Sequence, residues 1–284
     1  MPELPEVETI RRGLERCIVG KIIIGVEVRL TKMFGGDPHE VIGARVEAVR
    51  RFGKGLVIDL SNKYSLTAHV KMTGQFVYVG QETKGFHPKL ATPTNLPDKH
   101  THVIFGLESD GGEKSTLFYN DIRQFGWLKV VKTSEVKEQP FFKALGPEPL
   151  ADLTQELFTK IVSTSSMPIK PLLMDQSKLS GVGNIYANDA LYASGIDPRR
   201  KSNTLTQEER ERLFVSLLAV LEKGIALGGA SETNYIQVDG GKGEYQNHFL
   251  VYGRSSEICQ RCGNPIERIV QAGRSTFYCP TCQK

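Results

Sequence analysis

Four cysteines near the end of the chain constrain it most. Cys259 and Cys262 form one C-x2-C pair, Cys279 and Cys282 form a second, and sixteen residues separate the pairs. Each pair can turn two thiolates toward one point, and two such knuckles at this separation make the tetrahedral sulfur site that zinc favours. The competing readings are two disulfides, disfavoured in a reducing cytoplasm, or four unligated buried cysteines. A closed four-sulfur site leaves no coordination position for water, so the expected Zn2+ is structural. Between the knuckles, PIERIVQAGRSTFY reads as two strands joined at AGRS, with Arg274 at or beside the tip. There it is either an ordinary solvated loop arginine or a bidentate phosphate contact. The last thirty-one residues hold five Lys/Arg against two Asp/Glu, so they carry +3 of the chain's +4. A mild basic balance permits a polyanionic partner without demonstrating one.

The remaining chain is long enough to bury one large core or two ordinary ones. No segment approaches the roughly 18 consecutive apolar residues of a membrane span, and the start lacks a basic region followed by an apolar run, so a cytoplasmic protein is expected. Val7, Ile10, Leu14 and Ile18 recur at helical spacing until Gly20. Short apolar segments follow: IIIGVEVRL, LVIDL, SLTAHVK, QFVYV, THVIFGL, STLFY and GWLKVV, separated by turn-rich pieces such as GFHPKLATPTNLPDK. Such spacing predicts an antiparallel sandwich or barrel through about residue 132. Residues 133–150, with three prolines and a polar lead-in, read as a linker. Beyond them the pattern is helical, and its clearest helix runs from the capping pair Thr206 and Glu209 to a stop at Gly228. The predicted organisation is therefore α+β, with domains at 1–132, 151–253 and 254–284 and a mobile glycine-rich loop at about 228–245.

Two further stretches carry chemistry. MPELPEVETIRRG places Pro2, Glu3 and Glu6 where first-turn residues of a helix belong. LLMDQSKLSGVGNIYANDAL has a turn with Gly181 and Gly183 before Asn184 opens a helix. This is either an ordinary helical hairpin or a backbone cradle for phosphate at a helix N-terminus.

Together MPELPEVETIRRG, HVKMTGQF, DIRQFGW, LGPEPL, the GVGNIY segment and the cysteine tail resemble, in order and over the whole chain, the bacterial formamidopyrimidine-DNA glycosylase family. The PELPEV opening favours this branch over the related endonuclease VIII group. The resemblance implies an N-terminal β-sandwich with the first helix attached, then a helix-two-turn-helix and a β-hairpin zinc finger, with DNA across the cleft. It implies a monomer acting on double-stranded DNA near the bacterial nucleoid, where it removes 8-oxoguanine and formamidopyrimidines and cleaves the strand at the abasic sugar. The rival expectations are an oxidised-pyrimidine glycosylase and a zinc-finger DNA-binding protein without catalysis.

By the same resemblance Pro2, freed of Met1, is the nucleophile. An ordinary α-amino group is neutral about a tenth of the time at pH 7, an unperturbed lysine only about once in 2,500. Glu3 is the implied acid/base, and Lys54 and Arg274 assist elimination and hold phosphates. Met72, Arg123 and Phe125 match the residues that fill the gap left by an extruded nucleotide. His69, His100, Lys170 and Asn184 fall at DNA-contacting or cleft-building positions, a core histidine staying open for His69, and Glu6 is assigned to the base pocket. Three departures stand out: Asp189 replaces a more usual Glu, Ser166 lies near an often basic position, and residues 81–99 are longer than usual.

Overall fold

The structure, a computed structural model, describes residues 1–81, 96–232 and 234–284. Most of the 81–99 insertion therefore lies outside the described residues. The chain forms two units, Met1–Lys143 with Leu227–Glu244, and Ala144–Ala226 with Tyr245–Lys284.

In the first unit, α1 (Leu4–Ile18) is amphipathic and ends where Gly20 takes a φ of 87°. Among the described residues nine strands follow: β1 (Ile22–Val28), β2 (Phe34–Gly35), β3 (Val46–Phe52), β4 (Gly55–Leu60), β5 (Tyr64–His69), β6 (Gly74–Val79), β7 (Thr101–Glu108), β8 (Lys114–Asp121) and β9 (Trp127–Lys132). They make two sheets, ordered β1-β7-β8-β6 and β2-β9-β5-β4-β3. Pairing is antiparallel apart from the two-residue parallel match of β2 with β9. Period-2 alternation sends Phe105, Leu117 and Tyr119 of one sheet and Leu56, Ile58 and Leu66 of the other into a shared core. Val7, Ile10, Leu14 and Ile18 of α1 complete that core, each buried side chain contributing roughly 1.5–3 kcal/mol. The sandwich is thus built around the helix that carries the N-terminus.

Residues Leu227–Glu244 belong to this unit although they follow the last long helix. Tyr235 and Val238 join the sandwich core, and the Tyr78 N–H of edge strand β6 donates to the Val238 carbonyl at 2.8 Å. Ile236 packs on the opposite face of β6 and β8 against Val77 and Phe118. The DGG sequence makes a turn, with the Gly240 N–H on the Gln237 carbonyl at 2.9 Å and Gly240 at a φ of 83°.

The predicted linker is divided at residue 143. Its first part forms α2 (Pro140–Lys143), whose Phe141 and Phe142 pack with His69, Trp127 and Phe52. In the second unit the LGPEPL stretch is bonded to the helical turn, Gly146 N–H to the Gln176 carbonyl and Ser180 N–H to the Pro147 carbonyl. The second unit contains α3 (Gln155–Ser163), α4 (Ile169–Met174), α5 (Asn184–Ser194), α6 (Gln207–Ala226) and a hairpin of β10 (Glu267–Gln271) and β11 (Arg274–Tyr278). The expected capping box of α6 is present in both directions, Thr206 N–H to Glu209 and Glu209 N–H to the Thr206 hydroxyl. Gly224 of α6 lies against Tyr186 of α5, where a Cβ would sit 2.5 Å from the ring.

Candidate active site and metal centre

α1 begins directly after two candidate residues, Pro2 and Glu3. Pro2 is buried, Glu3 is the N-cap, and Glu3 and Glu6 form a reciprocal capping box. The Glu3 N–H donates to one Glu6 carboxylate oxygen at 2.8 Å, and the other oxygen accepts the Ala230 N–H at 2.7 Å. Glu6 therefore ties the N-terminal turn to the glycine-rich segment at 227–244. That segment comes close because Gly229, at a φ of 81°, has no side chain where a Cβ would lie 2.8 Å from Glu6.

Lys54 sits in the two-residue turn between β3 and β4, where Phe52 pairs with Gly55. Gly53 takes the first turn position at a φ of 56°, the conformation that suits glycine in a tight hairpin. Lys54 is only 5% exposed and lies near enough to His69 to depress its protonation. Burial, then Lys71 and Lys54, push the His69 imidazole down to about 3. Its Nδ1 accepts the Lys71 N–H at 2.9 Å, so the neutral ring carries its proton on Nε2.

Met72, Arg123 and Phe125 are brought together. A terminal nitrogen of Arg123 donates to the Met72 sulfur at 2.9 Å, and the guanidinium lies 4.9 Å from the centre of the Phe125 ring. Phe125 is 55% exposed, an unusual place for a large apolar ring. Asp121, which sequence reasoning missed, shapes this loop. Its buried carboxylate accepts the Thr73 hydroxyl, the Arg123 N–H at 3.1 Å and the Gly126 N–H at 2.7 Å. His100 lies beside the same anchor, its carbonyl accepting the Asp121 N–H at 2.9 Å.

In the second unit, Lys170 of α4 is buried and donates to the Ser275 carbonyl at 2.8 Å and the Thr276 hydroxyl at 2.6 Å. It thereby ties α4 to the hairpin whose next residue back is Arg274. Arg274 is exposed at the start of β11, opposite Gln271, beyond the Ala272–Gly273 turn. Asn184 opens α5 behind an N-cap glycine with no side-chain cap. Gln176 holds the preceding turn, donating to the Met174 and Val182 carbonyls and accepting the Gly181 N–H. Asp189 is completely buried and accepts the N–H groups of Leu250, Val251 and Tyr252 and the Tyr245 hydroxyl. The acid at this position is thus an anchor for the chain entering the finger. Ser166 is exposed beside α4.

The four cysteine sulfurs lie within 4.8 Å of one another. Sulfur separations of 3.8 Å (Cys259–Cys282) and 3.5 Å (Cys262–Cys279) approach the edge of about 3.8 Å that a tetrahedron with ~2.3 Å zinc–sulfur bonds requires. Tyr192 and the Arg261 and Cys262 amides, working against burial, draw Cys259 down to about 6. Burial and the other sulfurs push Cys282 up to about 12. Four thiolates cannot share this volume without a cation among them, so the residues fit a structural Zn2+. Around them Arg261 donates to the Tyr192 and Ala193 carbonyls, fixing the knuckle to the end of α5.

Comparison with known proteins agrees with this arrangement. The descriptions "Formamidopyrimidine-DNA glycosylase N-terminal domain", "Formamidopyrimidine-DNA glycosylase H2TH domain" and "Zinc finger found in FPG and IleRS" match residues 1–128, 145–235 and 256–284. Formamidopyrimidine-DNA glycosylases of Desulfitobacterium hafniense and Streptococcus mutans are each 39% identical to it, over the full length of both chains. A Lactococcus lactis Fpg mutant bound to Fapy-dG-containing DNA superposes with a TM-score of 0.87 at 34% identity, covering 100% of both chains. The Lactococcus lactis protein with abasic-site DNA gives 0.86 at 34% identity, over 99% of each chain. Sandwich, helical unit and four-cysteine finger thus define a zinc-finger DNA-repair glycosylase. The chain belongs to the formamidopyrimidine-DNA glycosylase family.

Proposed function

We propose that the protein is a bifunctional DNA glycosylase and abasic-site lyase of base excision repair, removing oxidised purines from duplex DNA at the nucleoid. The observation that carries this reading is the start of α1, where Pro2 and Glu3 occupy the turn that Glu6 holds in place. Once Met1 is removed, Pro2 presents a secondary amine at the positive end of the α1 dipole. That end disfavours an ammonium and so favours the neutral amine that attack needs. The nitrogen lone pair bonds C1′ as the C1′–base bond breaks, and the base leaves with a proton. Glu3 moves protons at the sugar as the ring opens to an iminium. Loss of a C2′ proton then expels the 3′ phosphate, and a second elimination expels the 5′ phosphate, with Lys54 and Arg274 serving these steps.

Met72, Arg123 and Phe125 enter the duplex when the damaged nucleotide is extruded, the apolar side chains filling the stack and Arg123 bonding the orphaned base. His69, His100 and the α5 N-terminus at Asn184 hold phosphates, while Lys170 fixes the hairpin that presents Arg274. Glu6 and the 227–244 segment border the base pocket, and one Zn2+ held by Cys259, Cys262, Cys279 and Cys282 keeps the finger folded.

Borohydride reduction in the presence of abasic duplex tests the mechanism. Processed protein is expected to form a covalent complex; its absence, or its persistence undiminished in Pro2→Gly with Met1 retained, overturns the proline mechanism. Mass spectrometry of the intact N-terminus establishes Met1 removal. On a lesion panel, 8-oxoguanine opposite cytosine is expected to be cut faster than thymine glycol, and the reverse order overturns the purine assignment.

A further inference from the structure

A lysine at a hairpin tip is ordinarily solvated, yet Lys54 is buried. The residue that shapes its turn is Arg51 of β3. Arg51 Nε donates to Glu8 Oε2 at 3.0 Å, and a terminal nitrogen of the same guanidinium donates to the Gly53 carbonyl at 3.1 Å. Glu8 belongs to α1, the helix that carries Pro2, and its carboxylate also accepts Arg12 Nε at 2.8 Å. Both Arg51 and Glu8 are withdrawn from solvent, with side-chain exposures of 10% and 11%. On the far side of the turn, Phe141 and Phe142 ring carbons lie 2.6 and 2.8 Å from where a Gly55 Cβ would stand. The peptide following Lys54 is therefore closed in against those rings.

We infer that Glu8 and Arg51 are positioning residues for Lys54: one guanidinium spans α1 and the Gly53–Lys54 turn and sets the distance between the Pro2 end of the site and the lysine. This rests on the reading of Lys54 as an elimination residue. The planar guanidinium holds its donors in a rigid fork, so Arg51 bonds the carboxylate and the carbonyl at once in one fixed geometry. A misplacement of about 1 Å at a reacting group costs up to ~100-fold in rate. Arg51 therefore acts on the elimination step, with a smaller effect on iminium formation at Pro2.

The test is a double-mutant cycle on pre-formed abasic duplex, reading strand cleavage and borohydride trapping separately under single-turnover conditions. Arg51→Met is expected to slow strand cleavage about 10-fold while trapping amplitude is retained, and to add nothing in a Lys54→Ala background. Arg51→Lys keeps the pair with Glu8 but cannot also reach Gly53, so it is expected to lose cleavage similarly with less loss of stability, which covers the case in which Arg51→Met fails to fold. Arg12→Ala removes a partner of the same carboxylate and is expected to leave cleavage unchanged. Equal slowing by Arg51 substitution in the wild-type and Lys54→Ala backgrounds, or wild-type cleavage by both Arg51 variants, overturns the positioning role. Wild-type cleavage by Lys54→Ala instead overturns the reading of the lysine itself.

Discussion

At the scale of single residues, the charge on His69 decides what kind of contact it can offer a phosphate under the proposed function. An imidazole held near 3 is neutral throughout the physiological range, so it offers one directed N–H donor and releases no counterion. On the proposed function Lys54 and Arg274 each neutralise a phosphate, and each such contact adds to the salt dependence. Lys54→Ala and Arg274→Ala are each expected to reduce the slope of log K against log salt by about 1. His69→Phe, which keeps a ring beside Phe141 and Trp127, should weaken binding roughly 5-fold and leave the slope unchanged. Fluorescence anisotropy across a salt series checks this, and a slope change of one unit for His69→Phe would show a charged imidazole in the complex.

Glu8 gives a second prediction at this scale. Burial would raise its carboxyl, but Arg11, Arg51 and Arg12 overcome burial and hold it down at about 2. The fold prefers the ionised form, so its stabilisation is complete above pH 4.5, the ordinary value, and is lost as pH falls through about 2. Glu8→Gln should therefore destabilise the first unit by about 2–3 kcal/mol at pH 7, with the gap to wild type closing toward pH 2. Trp127, the chain's single tryptophan, lies in β9 of that unit and reports the urea midpoint by its emission. A gap that stays constant with pH would mean that the arginine cluster does not act through this carboxylate.

At the scale of elements, helix α6 sets intrinsic propensity against packing. Gly224→Ala gains up to ~1 kcal/mol of helix propensity, but the new Cβ meets the Tyr186 ring at 2.5 to 2.7 Å. Tyr186 is fully buried and also stacked on Tyr245 with centroids 4.9 Å apart, so it has no room to retreat. Overpacking at such a site costs about 1–3 kcal/mol, so the net expected change is destabilising by about 1 kcal/mol, read from denaturant midpoints. A stabilised variant would mean that the α5–α6 contact is softer than the close packing indicates. The helix itself was legible because capping pairs and apolar spacing are local signals. The Gly224 contact was not, since a buried glycine has no side chain for apolar spacing to register. The same distinction separates the site residues. The cysteines announce themselves by short-range spacing, and Pro2 and Glu3 stand out only through the resemblance of the opening motif, whereas Asp121, Gln176 and Arg51 act by bonding backbone groups, and their contacts leave no periodic trace. Asp189 was visible only as a departure from resemblance, and its role emerged from four donors supplied by residues 245–252.

At the scale of the whole molecule, dependence on metal is unevenly distributed. The first unit has a continuous core shared by two sheets and α1. The finger has a small cluster of Tyr192, Val251, Ile266 and Phe277 around two of its cysteines. A segment with so few apolar contacts relies on the ion for its folding free energy, as small zinc modules do. Stripping zinc should therefore release the hairpin that presents Arg274 while Trp127 remains in its folded environment. With a chelator titrated and released zinc followed by a metallochromic dye, affinity for abasic duplex is expected to fall at least 10-fold before Trp127 emission shifts. Binding retained after complete zinc loss would separate the finger from DNA recognition, and an emission shift coincident with zinc release would show that the first unit depends on the metal as well.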